Sequence, residues 1–316
     1  MKEDRYRHLN KYLKSLFGER TLKVCVDGGF TCPNRDGSKG TGGCIFCSGL
    51  GSGDLIKYKK CDHIESIHSQ VTQFLNSYRG ERANKFIAYF QSFTSTYDTI
   101  ENLKLKYDTA LGASEKIVGL EVATRPDCIS EDIVQLLASY KEKYYVCVEL
   151  GLQTVNNTVG KLINRQYSTE DFVMAVELLH KYDIPVVAHI MVGLPGSTDK
   201  DLLDTVEVIN KSGCEGVKIH STYVVKGSAL CKMYEEGCYT PISLSDYISS
   251  VGLIISNLNK EIVIHRINAD PPQDIFVAPD WTLRKKIVLN EINKYLETNN
   301  VFQGDKSISS VPVLYD

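Results

Sequence analysis

The sequence predicts an α/β protein built on a parallel sheet, closed or partly closed like a barrel. Three observations predict it. Six short apolar or β-branched runs alternate along the chain with amphipathic stretches of helical period. Runs such as YYVCVELGL and VVAHIMVGL are apolar almost throughout, as strands are when both faces of a sheet are covered. Several of the intervening stretches open on residues that suit a helix N-cap.

The strands are expected at 22–26, 86–90, 117–122, 145–150, 185–192 and 216–219. The helices between them are expected at 62–80, 98–111, 130–141, 169–182 and 199–212. Asp98, Ser130, Ser168 or Thr169, and Ser197 or Thr198 stand where a side-chain oxygen would accept from otherwise orphaned backbone N–H groups. After residue 222 the pattern loosens. A segment bearing Gly and Cys at 226–239 is followed by a helix near 244–258, a strand EIVIHRI at 261–267 and a helix at 282–298, with a frayed end. The expected organisation is a barrel unit with an N-terminal helix over residues 1–222, and a C-terminal α/β extension over 223–316 packed on it as a cap. In such a barrel, functional residues lie at the C-terminal ends of the strands.

The length of 316 residues allows either two domains or one large α/β barrel. Hydrophobic residues at 43% and charged residues at 24%, with 9 Pro and 23 Gly, are ordinary globular usage and argue against disorder or a collagen-like chain. No apolar run approaches the roughly 20 residues that span a bilayer, and the charged start carries no apolar signal core, so a cytoplasmic protein is expected. A net charge of −3 means that any nucleic-acid partner would be met by local basic patches and not by the overall field. Ten cysteines in such a chain point to metal or catalytic roles for those that cluster.

Three do cluster. The run DGGFTCPNRDG, ending in GGCIFC, places Cys32, Cys44 and Cys47 within sixteen residues of a Gly-rich loop. The CxxC spacing lets two thiolates converge on one metal centre, and Cys32 reaches in across the loop. Three cysteines on an iron–sulfur cubane leave one iron open, whereas a fourth ligand, His63 or His68, would make a closed zinc site. Cys25 falls inside the strand pattern and reads as a packed core thiol. Cys61, Cys128, Cys147, Cys214, Cys231 and Cys238 are scattered and read as structural.

The run DGGFTCPNRDG…GGCIFCS resembles the YhcC/YtqA (MnmL-like) family of radical S-adenosylmethionine (radical SAM) proteins, in the larger group that includes the elongator catalytic subunit and the coproporphyrinogen dehydrogenases. Similarity continues through FIAYFQSFTSTY, VGLEVATRPDCI, VELGLQT, INRQYS, HIMVGLPGS, GVKIHSTYVVKGS and IHRINADPP…APDWTLRKK, so it covers nearly the whole chain. Eleven residues separate Cys32 from Cys44, a wider gap than the CxxxCxxC of most of the superfamily and the gap this subgroup shows. The resemblance implies a partial (βα)6 TIM-like barrel, the radical SAM fold. It implies a [4Fe–4S] cluster on Cys32, Cys44 and Cys47, with S-adenosyl-L-methionine bound at the open iron and cleaved to a 5′-deoxyadenosyl radical.

The resemblance also suggests who holds that cofactor. Gln91, with Ser92 and Thr94, ends the second strand where the family contacts the amino end of SAM, and its amide oxygen can accept from an ammonium. Glu149 and Gln153 flank the end of the fourth strand, where either could accept the ribose hydroxyls; a Glu in so apolar a strand needs a partner. Arg165 resembles the arginine aimed at the SAM carboxylate in related proteins, where a planar fork suits bidentate pairing. Val192 and Gly193 end the fifth strand and would let backbone approach a flat adenine. Thr124–Asp127 either lines the substrate side or caps the next helix. His220 is the candidate catalytic residue at the end of the sixth strand, while His189 reads as structural.

The YtqA-like branch implies a tRNA partner, with the C5 group of the wobble uridine converted from carboxymethylaminomethyl to aminomethyl. Lys57, Lys59 and Lys60, and Arg284, Lys285 and Lys286 beside Trp281, are basic runs able to meet phosphates and a base. Class membership implies flavodoxin or ferredoxin as electron donor; no membrane partner is expected, because no apolar run is long enough to span one. The competing readings are a radical SAM enzyme acting on a small molecule such as a tetrapyrrole, and a non-enzymatic zinc-binding module.

Overall fold

Strand-forming residues and helix-forming residues alternate in this chain, and the fold follows that alternation. The computed structural model describes residues 4–49, 51 and 63–307. Among them are nine strands: β1 (Thr21–Val26), β2 (Lys85–Phe90), β3 (Ile117–Thr124), β4 (Tyr145–Gln153), β5 (Val186–Val192), β6 (Gly216–Ser221), β7 (Val224–Val225), β8 (Val263–Arg266) and β9 (Phe276–Ala278). The helices are α1 (Leu9–Phe17), α2 (His63–Leu75), α3 (Ile100–Leu111), α4 (Glu131–Ser139), α5 (Asn157–Leu162), α6 (Thr169–His180), α7 (Asp199–Lys211), α8 (Ala229–Glu235), α9 (Leu244–Asn257) and α10 (Lys285–Thr298).

All six expected strands pair in parallel in sequence order, each joined to the next by a helical crossover. The strand expected in the C-terminal extension does more than pack there. As β8 it adds a seventh parallel strand beside β6, so the sheet itself crosses residue 222. The first and last strands are not paired with each other. Laid flat, six spacings of about 4.8 Å would part them by roughly 29 Å. Yet Lys23 Nζ on β1 lies 3.3 Å from His265 Nδ1 on β8. The sheet is curled into a partial barrel, with α1 packed against both β1 and β8. Ile264 of β8 donates to the carbonyl of Arg7 at 2.9 Å, which covers part of that strand's outer edge.

The two faces of the curled sheet differ in chemistry. Outward residues such as Val24, Val26, Phe86, Phe90, Leu120, Val122, Val148, Leu150, Ile190, Val217 and Ile219 join the apolar core under the helices. The alternate positions point inward and are largely polar: Lys23 and Cys25, Tyr89 and Gln91, Glu149 and Gly151, His189, Lys218 and His220. This corrects the expectation of strands apolar on both faces. Cys25 is accordingly half-buried on the inner face and not sealed in the core.

Helix starts follow their caps. Ser168 and Thr198 each accept from the backbone N–H three residues on, and Asp171 and Asp201 return the bond, completing capping boxes. Helix α3 is capped by Thr99 and not by Asp98, whose carboxylate instead accepts from Thr99 N and Asn102 Nδ2. The helix expected over 62–80 ends at Leu75, where the chain doubles back so tightly that a Cβ on Gly80 would meet Phe74 O at 2.3 Å. Helices α5 and α8 carried too few periodic positions to be expected; each begins at a polar cap, Asn156 and Ser228.

Candidate functional site

The Gly-rich loop after β1 is held by its own polar residues. Arg35 N and Asp36 N donate to Cys32 O, and Cys47 N donates to Cys44 O at 3.0 Å. Asn34, fully buried, donates through Nδ2 to Asn164 O at 2.6 Å and toward Cys44 Sγ at 3.8 Å. Asn164 reciprocates through its own amide, to Gly43 O at 2.8 Å and Thr41 O at 3.1 Å. Ile45 N donates to Ile163 O, and Leu230 N to Ile45 O, so the loop is clamped between the segment after α5 and the start of α8. At Gly43, with φ of 77°, a Cβ would stand 2.8 Å from Arg35 Nε; the glycine lets the arginine fold back over the loop.

The loop closes one side of a cavity of about 920 Å³ at the C-terminal ends of the strands. Cys32, Cys44 and Cys47 line it together with Gln91, Glu149, Gln153 and His220. Seven of the ten residues expected at the site thus share one space. Gln153 has a φ of 64°, ending β4 and turning its backbone at the cavity wall. Thr124 and Arg125 line it as well, while Pro126–Cys128 forms a single 3-10 turn.

Arg165, Val192 and Gly193 do not line the cavity. Arg165 is 1% exposed, and its Nε and Nη1 donate to the backbone carbonyls of Tyr167, Leu152 and Thr154, with the guanidinium over the Tyr167 ring. A fork spent on three carbonyls is a clamp on the turn after β4, and this corrects its expected pairing with a ligand carboxylate. Val192 is wholly buried. Gly193 is covered from the C-terminal third: Tyr239 Oη donates to its carbonyl at 2.8 Å, and a Cβ there would meet Ile242 Cγ2 at 2.8 Å. Trp281 is likewise not free to stack on a base, since it is buried against Tyr247 and donates to Ile242 O. Lys57, Lys59 and Lys60 lie outside the described residues.

Beneath the cavity the barrel interior is charged. Glu149 has no exposed surface, and its carboxylate accepts from Tyr89 Oη at 2.5 Å, Lys218 Nζ at 2.5 Å, His189 Nε2 at 2.8 Å and Lys23 Nζ at 3.0 Å. Burial alone would raise this carboxyl, but Lys218 and Lys23 override it and hold it well below the usual range. His189 is therefore more than packing: it binds Glu149 and lines the cavity. Glu121 pairs with Lys23 yet is pushed up to about 7 by burial. Burial lowers Lys218 to about 8 and His265 to about 3, and it drives His220 well below its usual value, with His189 and Arg266 adding to that effect. Lys218, Arg266 and Tyr89 were not singled out from the sequence. The signal for one was present: a lysine in the middle of GVKIHS, in a strand otherwise apolar, needs a partner.

The donor set can be tested against its metal. One zinc ion holds thiolates at about 2.3 Å, and so roughly 3.8 Å from one another. Among the described residues, the set of three His, Cys, Asp or Glu side chains whose ligand atoms all lie within 4.8 Å of one another is Glu121, Glu149 and His265, not the cysteines. That set is already neutralised by Lys23 and Lys218. The three half-buried cysteines fit a larger cluster held at the cavity wall.

Comparison with known proteins bears on the family and the fold. Residues 37–209 match the Radical SAM superfamily model, and residues 214–298 match the Radical_SAM C-terminal domain model. The chain is similar to the uncharacterized protein YtqA of Bacillus subtilis, 39% identical over 302 residues, 96% of this chain and 92% of that protein. It is 30% identical over 189 residues to the tRNA uridine(34) acetyltransferase of Methanocaldococcus infernus, across 58% of this chain and 34% of that one. Among solved structures, the archaeal Methanocaldococcus infernus Elp3 lacking its N-terminus superposes with a TM-score of 0.66 at 21% identity, over 90% of this chain and 64% of that chain.

Proposed function

We propose, from the premise that this chain belongs to the radical SAM superfamily, that it modifies the wobble uridine of a tRNA, converting a carboxymethylaminomethyl group at C5 to aminomethyl. As a member of that superfamily it is an enzyme that uses a [4Fe–4S] cluster and S-adenosyl-L-methionine. Cys32, Cys44 and Cys47 would hold the cluster, and the chemistry it supplies with SAM is a 5′-deoxyadenosyl radical able to take a hydrogen atom from a C–H bond.

The residues of this chain do the rest. Gln91 and Gln153 line the cavity at the ends of β2 and β4, with amide groups suited to the amino and ribose groups of SAM. Glu149 is saturated by four donors, so it acts by fixing Lys218, His189 and Tyr89 in place. His220, held neutral, presents an imidazole whose Nε2 has no hydrogen-bond partner among the described residues. It is suited to a hydrogen bond with a substrate N–H or O–H, not to carrying a proton, since burial disfavours its charged form. Phe93, Tyr167 and Tyr223 wall the cavity with rings that limit water around a reactive intermediate.

The observation that carries the tRNA reading is the similarity, across the barrel, to proteins named for acting on tRNA uridine 34. A cavity of about 920 Å³ leaves room for a nucleoside beside SAM. Six cationic residues line it against three anionic ones, which suits an RNA partner despite the overall charge of −3. A flavodoxin or ferredoxin is the proposed electron donor. The test is nucleoside analysis of tRNA from a strain lacking the protein. Accumulated carboxymethylaminomethyluridine supports the reading, and an unchanged nucleoside profile contradicts it.

A further inference from the structure

Within the charged interior, one guanidinium is underused. Arg266 ends β8, the strand that joins the sheet from the C-terminal third, and stands in register with Lys218 of β6. Its side chain is 34% exposed and lines the cavity. Among the described residues its one ionic partner is Asp270, at 3.5 Å. That carboxylate is already held by Lys285 at 2.6 and 2.8 Å. The contrast with Arg125, another guanidinium on the wall, is direct: its Nε and Nη2 both bond Asp127 at 2.9 Å.

The charge balance of the interior points the same way. Lys23 and Lys218 already share Glu149 and Glu121, and burial pushes Glu121 up to about 7, so that pair has no full negative charge to spare for Arg266 at neutral pH. His189 and His220 are kept neutral by burial, so they leave the positive charge of Arg266 as it is. A half-buried guanidinium without a dedicated carboxylate is costly unless a ligand completes it, and its planar fork suits a carboxylate bound through two parallel hydrogen bonds.

We propose that Arg266 is the subsite for a carboxylate on the substrate, holding the acidic tail of the group to be removed while the rest of the substrate faces the cluster loop. This rests on the wobble-uridine reading, which supplies such a tail, the carboxymethyl group. It makes Arg266 a specificity residue: it favours the substrate over its own product, which lacks the carboxylate.

The test is equilibrium binding of anaerobically reconstituted holoenzyme to two tRNAs that differ only in carrying carboxymethylaminomethyl or aminomethyl at the wobble uridine. Wild type should prefer the carboxymethyl form by about tenfold or more, the value of one hydrogen-bonded charge pair. Arg266→Gln should bring that preference to within about twofold, and Arg266→Lys should keep part of it. A preference retained in Arg266→Gln overturns the proposal and leaves the wobble-uridine reading standing. Equal weakening of both tRNAs assigns the guanidinium to a backbone phosphate, and a fall in SAM affinity assigns it to the methionine carboxylate; either overturns the proposal. No preference in wild type overturns this subsite, and the wobble-uridine reading is then decided by the nucleoside analysis alone.

Discussion

Glu149 shows most plainly how this sequence spends a residue. A carboxylate with no exposed surface is tolerable because four donors from β1, β2, β5 and β6 converge on it. Replacing it with Gln leaves Lys218 and Lys23 short of negative charge in a desolvated site. Glu149→Gln should therefore cost about 3–5 kcal/mol in denaturant unfolding, and a loss under about 1 kcal/mol would contradict this role. Asn34 is the matching case in the loop: its buried amide ties Cys44 to Asn164. Asn34→Ala should lose about 1–3 kcal/mol of loop stability, seen as faster release of iron from the reconstituted protein to a chelator. Retention equal to wild type would show that the amide does not secure the loop. At this scale the sequence was partly legible. The spacing of Cys32, Cys44 and Cys47 singled them out, and the structure brings all three to one cavity wall, where they are proposed to hold the cluster. Arg165 misled for a local reason: after α5 the chain turns through Asn164 and Gln166, both at positive φ, and this brings the guanidinium onto the carbonyls of Leu152 and Thr154 at the end of β4 and of Tyr167.

Among the elements, caps and strands were the most readable. Ser168 and Ser130 look alike in sequence, yet only Ser168 accepts a capping bond. Ser168→Ala should thus cost about 1 kcal/mol, and Ser130→Ala only a few tenths, when compared in the same unfolding titration. Equal losses would mean that the cap geometry does not set the difference. Strand positions were legible because the outward face of each strand is a run of Val, Ile, Leu and Phe. The inward face was not read, since a single polar residue among apolar neighbours, such as Lys218 or His189, looks like an interruption and not like one side of a period of two. β8 was expected in the right place, but its pairing beside β6 was not read from the sequence. Strand pairing over such a distance depends on the curl of the whole sheet, which no local pattern carries.

The molecule as a whole is a charged-centre barrel, and its stability should depend on pH accordingly. His189, His220 and His265 are held neutral by burial, with folded-state values below the ordinary 6.5 and His265 near about 3. As pH falls below 6.5 the unfolded chain binds protons that the folded chain refuses, so stability falls with acidification across that window. Glu149, held low, adds a further loss below about 4.5. Glu121, raised to about 7, has the opposite sign: its contribution is present below about 4.5 and is lost as pH rises to 7. Unfolding free energies of Glu121→Gln should therefore rise more steeply between pH 4.5 and 6.5 than those of wild type. Parallel curves would contradict that assignment. Above this electrostatic base sits the claim on which the account turns, that the three cysteines of the loop hold a cluster that cleaves SAM. The direct measurement is anaerobic reconstitution of wild type and the Cys32→Ala, Cys44→Ala, Cys47→Ala triple variant, followed by dithionite, SAM and mass spectrometric detection of 5′-deoxyadenosine. The account predicts product from wild type and none from the variant; a wild-type protein carrying its full iron–sulfur complement that makes none, even with candidate tRNA present, would contradict it.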